Sequence, residues 1–598
     1  MKESDQTSQI NKKVKAFPVP FRLRENQENI TVITNTPSNL SKEQIISQAF
    51  KFHSKGNILE AEKYYQYFIN KGFKDHRVFS NYGVLLQSLG KLHEGERALR
   101  KAIQIKPDEA LAHSNLGNIL KHRGNLKEAE RVLRKAIELQ PELLEAYFNL
   151  GSVLKDLSKL KEAEVFLRKA FVFKSDSPEA HNNLGNILRD LGQLKEAKLL
   201  IRKAIAIKPD YSNAHNNLGI IYRDLDQLKD AERSLRKAVK IDPYYAEAHN
   251  NLGNTLRDLG QLEEAESLSR KAIELNPDLS EAYFNLSLTE LLKGNYKSGL
   301  ANYEYRFKAK KSVRTHANTK LEKFNHQKKP AEKKILVISE QGLGDTLQFM
   351  RYVPYLRDQG RDVYFCTQEK LHSLIQVSGI DPHPLTPEQT NQISDGVWMP
   401  LMSLPKHLEV NPSNPIISKR YISSSEELIQ KWKTILSREE RPIIGINWQG
   451  NPKAERTTLK GRSLALEKFA EIAKKNNLKL LSLQKGFGSD QLHHCSFKNR
   501  FVNCQPQINS TWDFLENAAI IENCDLIITS DTSIAHLAGG MGKLTWILLQ
   551  HIPDWRWGLE GNNTFWYPSV KLFRQTERNN WQTVMEKVSS QIKTKFLD

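Results

Sequence analysis

The chain has 598 residues, 26% of them charged, with a formal net charge of +19 and a mean hydropathy of −0.56. That length exceeds what one hydrophobic core organises, so several domains are expected. No run of about 18 apolar residues exists, which excludes a helical membrane span. The opening MKESDQTSQINKKVKAF has neither an apolar core nor a small-residue cleavage site, so a cytoplasmic protein is expected rather than a secreted one. Cys366, Cys495, Cys504 and Cys524 contain no CxxC and are expected to be reduced and mostly buried thiols, not a zinc site.

Residues 1–40, rich in Ser, Asn, Gln and Lys, read as a disordered leader. From 41 to 312 a segment of about 34 residues recurs, in about seven full units and a degenerate last one. Gly83, Gly117, Gly151, Gly185, Gly219 and Gly253 stand one period apart. Two residues before each stands Asn81, Asn115, Asn149, Asn183, Asn217 or Asn251, and Asn285 continues the series. A fixed period of this size means an all-α solenoid. Each unit reads as a helix, a turn, a second helix and a closing proline at Pro107, Pro141, Pro209, Pro243 or Pro277. The in-register asparagines present one chemistry along the solenoid. They either contact the backbone of an acceptor, since an amide both donates and accepts, or bond across neighbouring helices. Arg100, Arg134, Arg168, Arg202, Arg236 and Arg270 also repeat in register, so much of the net charge is one helix face copied six times. That favours a solvated face over a nucleic-acid track.

Beyond Lys311 the period stops. KKILVIS, RDVYFC, PIIGINW, LKLLSL, CDLIITS and LTWILL read as buried strands, separated by helical stretches such as LQFMRYVPYLRDQ and TWDFLENAAIIEN. Strand and helix in alternation imply parallel sheets, here two Rossmann-like α/β domains at 333–428 and 440–598 with a hinge near 429–442. Ligands are then expected beyond the carboxyl ends of the strands.

Three loops can carry chemistry. In Glu340-Gln341-Gly342-Leu343-Gly344-Asp345 the glycines permit close approach, and Asp345 is either a general base or the N-cap of a helix with Gln348 in capping-box spacing. In Ser530-Asp531-Thr532-Ser533-Ile534-Ala535-His536 a helix N-terminus with hydroxyl residues suits a diphosphate. Thr532 and His536 would share a face there, or His536 is a bonded core residue. In Asn447-Trp448-Gln449-Gly450-Asn451, Trp448 either stacks on a ligand or packs in the core, with Arg462 available to phosphate and Gln484 to a base edge. Trp555 and Trp557 in PDWRW and Trp566-Tyr567 read as an aromatic corner or a sugar platform. No HExxH, Walker loop, DxD or Cys/His spacing appears, so no metal or other cofactor is expected.

The repeats resemble the tetratricopeptide repeat (TPR), in the L-G-x2-Y, A-x3-F and P positions of most units. EQGLGDTLQF, NWQGNP, DTSIAHLAG, PDWRW and WYPSVKLFRQ, in that order, resemble bacterial TPR proteins fused to a GT-B glycosyltransferase, similar to the ADP-heptose:lipopolysaccharide heptosyltransferase family. Ser533 and Arg462-Ser463 depart from that family's pattern. The overall layout also resembles O-linked N-acetylglucosamine transferase. The resemblance implies that Asp345 deprotonates the acceptor and that Asp531, Thr532 and His536 hold the donor diphosphate. Gly342, Gly344, Trp448, Gln449, Arg462, Gln484 and Ser533 complete the expected donor site. The expected protein is a metal-independent, inverting transferase moving a sugar from a nucleotide-sugar donor to a protein or glycan acceptor on the solenoid. The alternative is a TPR interaction scaffold with an inactive transferase-like half.

Overall fold

A computed structural model describes residues 40–173, 175–309, 313–324, 334–416, 419–455, 460–475 and 478–596. The expected leader lies outside the described residues but for Leu40. Two compact units divide between Leu225 and Asp226.

The first unit is all-α, from the helix Lys42–Ser54 to the helix Ser212–Asp224. Each repeat pairs two helices, and the recurrent glycine is where they touch. A Cβ at Gly83 would lie 2.6 Å from Leu99 Cγ, and one at Gly185 would lie 2.7 Å from Ile201 Cδ1. The glycine is therefore a packing requirement of the repeat. The turn between paired helices needs a left-handed residue, supplied by Gly124 at φ +80° and by Ser158 at +62°. Pro178 opens the helix Pro178–Asp190 at its first turn, where the missing N–H costs nothing.

Those repeated arginines are not a free basic face. Arg100 pairs with Glu96 and Glu128, Arg134 with Glu130 and Glu162, and Arg168 with Glu164 and Glu196. Each bridges its own helix and the next repeat. Arg202 has Lys198 four residues before it where the others have glutamate.

The second unit begins with five more solenoid helices, Leu228–Ile241 through Tyr296–Tyr303, and continues into two parallel sheets. The first comprises β1 (Glu322–Lys323), β2 (Lys334–Ile338), β3 (Asp362–Cys366) and β4 (Val397–Pro400), in the order β1-β4-β2-β3. The second comprises β5 (Ile443–Asn447), β6 (Lys479–Ser482), β7 (Leu526–Ser530), β8 (Thr545–Leu549) and β9 (Val570–Arg574), in the order β6-β5-β7-β8-β9. The chain leaves in opposite directions from β2 toward β3 and β4, and from β5 toward β6 and β7. Each sheet thus has a topological switch point, where a crevice opens at the strand ends.

One core runs from Leu262, Leu292 and Tyr303 of the last repeats through Val337 and Phe349 to Ile547 and Leu572. The stretch LQFMRYVPYLRDQ is not the single helix its pattern suggests. It breaks into Leu343–Phe349 and Tyr352–Asp358, because Pro354 has no N–H to continue the first helix. The break buries Arg351, whose guanidinium donates to the carbonyls of Gln348 and Trp566, both at 2.7 Å. Among the described residues no helix is long and apolar enough to cross a membrane.

Candidate functional site

A cleft of about 1560 Å³ lies at the carboxyl ends of the strands, lined by loops after β2, β3, β5, β6, β7 and β8. Both switch points open onto it.

The loop after β2 ends in Gly342, which caps the helix Leu343–Phe349. Asp345 is therefore not the N-cap. It sits one turn in, and its Oδ2 accepts from the Gly342 N–H at 2.8 Å. Its Oδ1 is ion-paired to the Arg556 guanidinium, which also donates to Asp554 Oδ1 at 2.8 Å. Burial pushes the Asp345 carboxyl above its ordinary range, while Arg556 pulls it back. A Cβ on Gly344 would lie 3.0 Å from the His536 ring, so this glycine lets the two helices meet.

After β5, Asn447, Gln449 and Gly450 border the cleft, but Trp448 does not. Trp448 is 0% exposed in a core with Leu466 and Phe469, so it stacks on no ligand. Strand alternation turns it under the sheet while its neighbours face out. Gln484 is likewise no reader of a base edge. Its Oε1 accepts from Asn447 Nδ2, Trp448 N and Gln449 N, and its Nε2 donates to the carbonyls of Gln449 and Phe487. Every polar position of that amide is used in holding the loops after β5 and β6 together. Arg462 donates to Glu455 at 3.2 Å and to the Asp531 carbonyl at 3.1 Å. It lies so close over Gly450 that a Cβ there would collide with the guanidinium.

After β7, Thr532 is the N-cap of the helix Ser533–Gly540, whose leading amides have no intrahelical partner and open on the cleft beside Ser533. Thr532 and His536 do not form one grip. The Thr532 hydroxyl donates to Asn447 Oδ1 at 2.9 Å, whereas His536 Nδ1 bonds the Tyr567 hydroxyl at 2.9 Å and its ring stacks on Trp557. Burial holds His536 well below its ordinary pKa, so it is a neutral imidazole in an aromatic cage. Burial and the neighbouring Asp554 push Asp531 up to about 6. Asp531 serves Arg462 through its backbone, not through its carboxylate.

Sequence reading missed Asp554 and Arg556, which border the cleft. The tryptophans of PDWRW drew the motif toward packing, and Trp555 and Trp557 are indeed buried. A charged pair alternating with them was the signal. It also missed His316, whose Nδ1 bonds Ser339 Oγ at 2.9 Å on the same cleft wall.

The asparagine series divides. Asn81 is 0% exposed, which removes it from any acceptor surface. In the first unit Asn149 Nδ2 donates to Ser114 at 3.2 Å and Asn217 Nδ2 to Asn182 at 2.9 Å. In the second, Asn285 Nδ2 donates to Asn250 at 2.9 Å. These three brace adjacent repeats, each across a spacing of 35 residues. Asn115, Asn183 and Asn251 are half-buried.

Cys366, Cys495 and Cys524 are buried free thiols, and Cys504 is a half-buried one. Among the described residues no three His, Cys, Asp or Glu side chains gather as a metal-ligand set.

Family models described as tetratricopeptide repeat match residues 76–109, 108–171, 176–243 and 246–279. This segment is a run of tetratricopeptide repeats. No curated protein matches the chain. Among solved structures, the chain is similar to YrrB, a TPR protein with an unusual peptide-binding site, at 26% identity over 31% of this chain and 95% of that one, with a TM-score of 0.25. A tetratricopeptide repeat protein from Parabacteroides merdae matches at 18% identity over 42% and 98%, TM-score 0.37. MamA from Desulfovibrio magneticus RS-1 matches at 20% identity over 28% and 96%, TM-score 0.25.

Proposed function

We propose that the chain is a GT-B glycosyltransferase that takes a sugar from a nucleotide-sugar donor, in the cytoplasm, and places it on a protein or glycan recruited by the repeats. The observation that carries this reading is one cleft at two switch points. It gathers Asp345, Arg556, Arg462 and the amides of the helix Ser533–Gly540. The acceptor hydroxyl attacks the anomeric carbon while Asp345 takes its proton. The glycosyl–oxygen bond breaks, and the nucleoside diphosphate leaves with the bonding electrons. Arg462, Arg556 and the helix amides meet that negative charge without a metal. Attack from the face opposite the leaving group inverts the anomeric centre.

The half-buried Asn115 and Asn183 remain the members of the ladder suited to an acceptor backbone. The scaffold reading is favoured by the tetratricopeptide repeats themselves, which suit protein partners. A product assay separates the two. Purified protein offered UDP-, GDP-, ADP- and CMP-sugars with cell extract should transfer or hydrolyse at least one. No turnover of any would leave the scaffold. Asp345→Asn should lower turnover by at least about 10²-fold, the scale of lost acid–base catalysis, while donor binding persists. Unchanged turnover would remove Asp345 from the mechanism.

A further inference from the structure

The wall of the cleft formed by the second sheet carries features that the chemistry above does not use. In the second unit, among the described residues, the exposed large apolar side chains are Tyr244, Val377, Phe487 and Trp512. Phe487, 55% exposed, and Trp512, 68% exposed, both border the cleft. Gly486, at φ +65°, lies against the Trp512 ring, which a Cβ there would approach to 4.0 Å. Asn517 borders the same cleft at 6% exposure, and its Oδ1 has no hydrogen-bond partner. Its Nδ2 is committed to the Asp513 carbonyl at 2.6 Å, so the amide offers the cleft an acceptor only. A buried carbonyl without a donor is unfavourable, and a ligand N–H would relieve it.

The position fits one part of a nucleotide. Strand order β6-β5-β7 puts the loop carrying Phe487 two strand spacings, roughly 10 Å, from the helix amides after β7. That is the direction a ribose would carry a base away from a diphosphate. We infer that this wall is the subsite for the heterocyclic base of the donor. Trp512 and Phe487 supply faces on which the base stacks, and Asn517 Oδ1 accepts from an N–H on its edge. This rests on the nucleotide-sugar reading and names the residues that would hold the base.

Calorimetric titration of the full chain with ADP, UDP, GDP and CDP, and with inorganic pyrophosphate, tests it. At least one nucleoside diphosphate should bind. Trp512→Ala and Phe487→Ala should each weaken it by about tenfold, leave pyrophosphate binding unchanged and preserve the thermal midpoint, since both side chains are exposed. Trp512→Phe should restore most of the loss. If the alanine variants bind the nucleotide as the wild type does, or weaken pyrophosphate equally, the subsite is overturned while the donor reading stands. If the wild type binds no nucleoside diphosphate, both fall together.

Discussion

At the scale of single residues, the cleft crowds Asp345, Asp531 and Asp554 around two guanidiniums, and the carboxylates do not share them equally. Arg556 is held by Asp345 and Asp554. At Asp531 burial, with the neighbouring Asp554 added, outweighs the pull of Arg462 and Arg556, and its carboxyl rises from 3.8 to about 6. A carboxyl raised on folding binds its proton more tightly in the native state. Stability therefore falls as pH rises from about 4 to about 6, and the penalty is complete above that window. Asp531→Asn removes the ionisation and keeps the backbone carbonyl that receives Arg462. It should raise stability at pH 7.5 by on the order of 1–3 kcal/mol and make no difference below pH about 4. Thermal midpoints of both proteins across pH 3.5–8 measure this. An equal gain at every pH would show that the effect is packing. None of this crowding was legible in the sequence, because Asp345, Asp531 and Asp554 lie on loops of different strands with no periodicity linking them. Asp345 and the loop after β7 could be singled out because each follows an apolar run and opens a helix.

At the scale of elements, the solenoid was readable because every repeat solves one packing problem with one residue set. Gly83 and Gly185 sit against Leu99 and Ile201, and a substitution would show at once as a break in the pattern. Apolar runs of four to seven residues announced β2, β3 and β5 to β8. β4 and β9 were not announced: V-W-M-P ends in a proline, and V-K-L-F-R alternates with charge. Both lie where neighbouring strands supply the missing context. The helix–turn–helix junction offers a test. Ser158 and Asp226 hold the left-handed conformation that glycine holds in other repeats. A non-glycine residue there is strained by on the order of 1 kcal/mol. Ser158→Gly should recover about that much in chemical denaturation. Asp226→Gly should recover little or lose stability, because Asp226 pairs with Arg578 and accepts from Asn579. Equal gains from the two would mean that the Asp226 contacts contribute nothing.

At the scale of the whole molecule, the end of the solenoid is part of the unit that holds the two parallel sheets. Arg306, in the turn after the last solenoid helix, is buried and donates to Glu340 at 2.7 Å, to Glu304 at 2.8 Å and to Ser403 at 3.0 Å. Glu340 opens the loop that carries Asp345, and the next residue, Gln341, donates to the Tyr303 hydroxyl at 3.0 Å. Tyr296 and Tyr303 pack against Trp555, beside Arg556. Sequence periodicity ends near Lys311, so the natural place to cut would be there, and the contacts say otherwise. A fragment beginning at residue 313 would leave Glu340 buried without its cation, which costs about 3–5 kcal/mol, and would uncover Trp555 and Phe565. A fragment of residues 226–598 keeps Arg306, both tyrosines and the Asp226 pairing with Arg578. We expect the longer fragment to melt cooperatively and to bind whatever nucleotide the full chain binds, and the shorter one to be insoluble or to lack a cooperative transition. Arg306→Met within the longer fragment separates coupling from mere stability. On the proposed function, it should lower turnover through the displaced Asp345 loop more than it weakens donor binding, since the groups proposed to hold the donor lie on the other sheet. A fragment 313–598 that folds and binds as well as 226–598 would show that the last repeats only abut the site and do not build it.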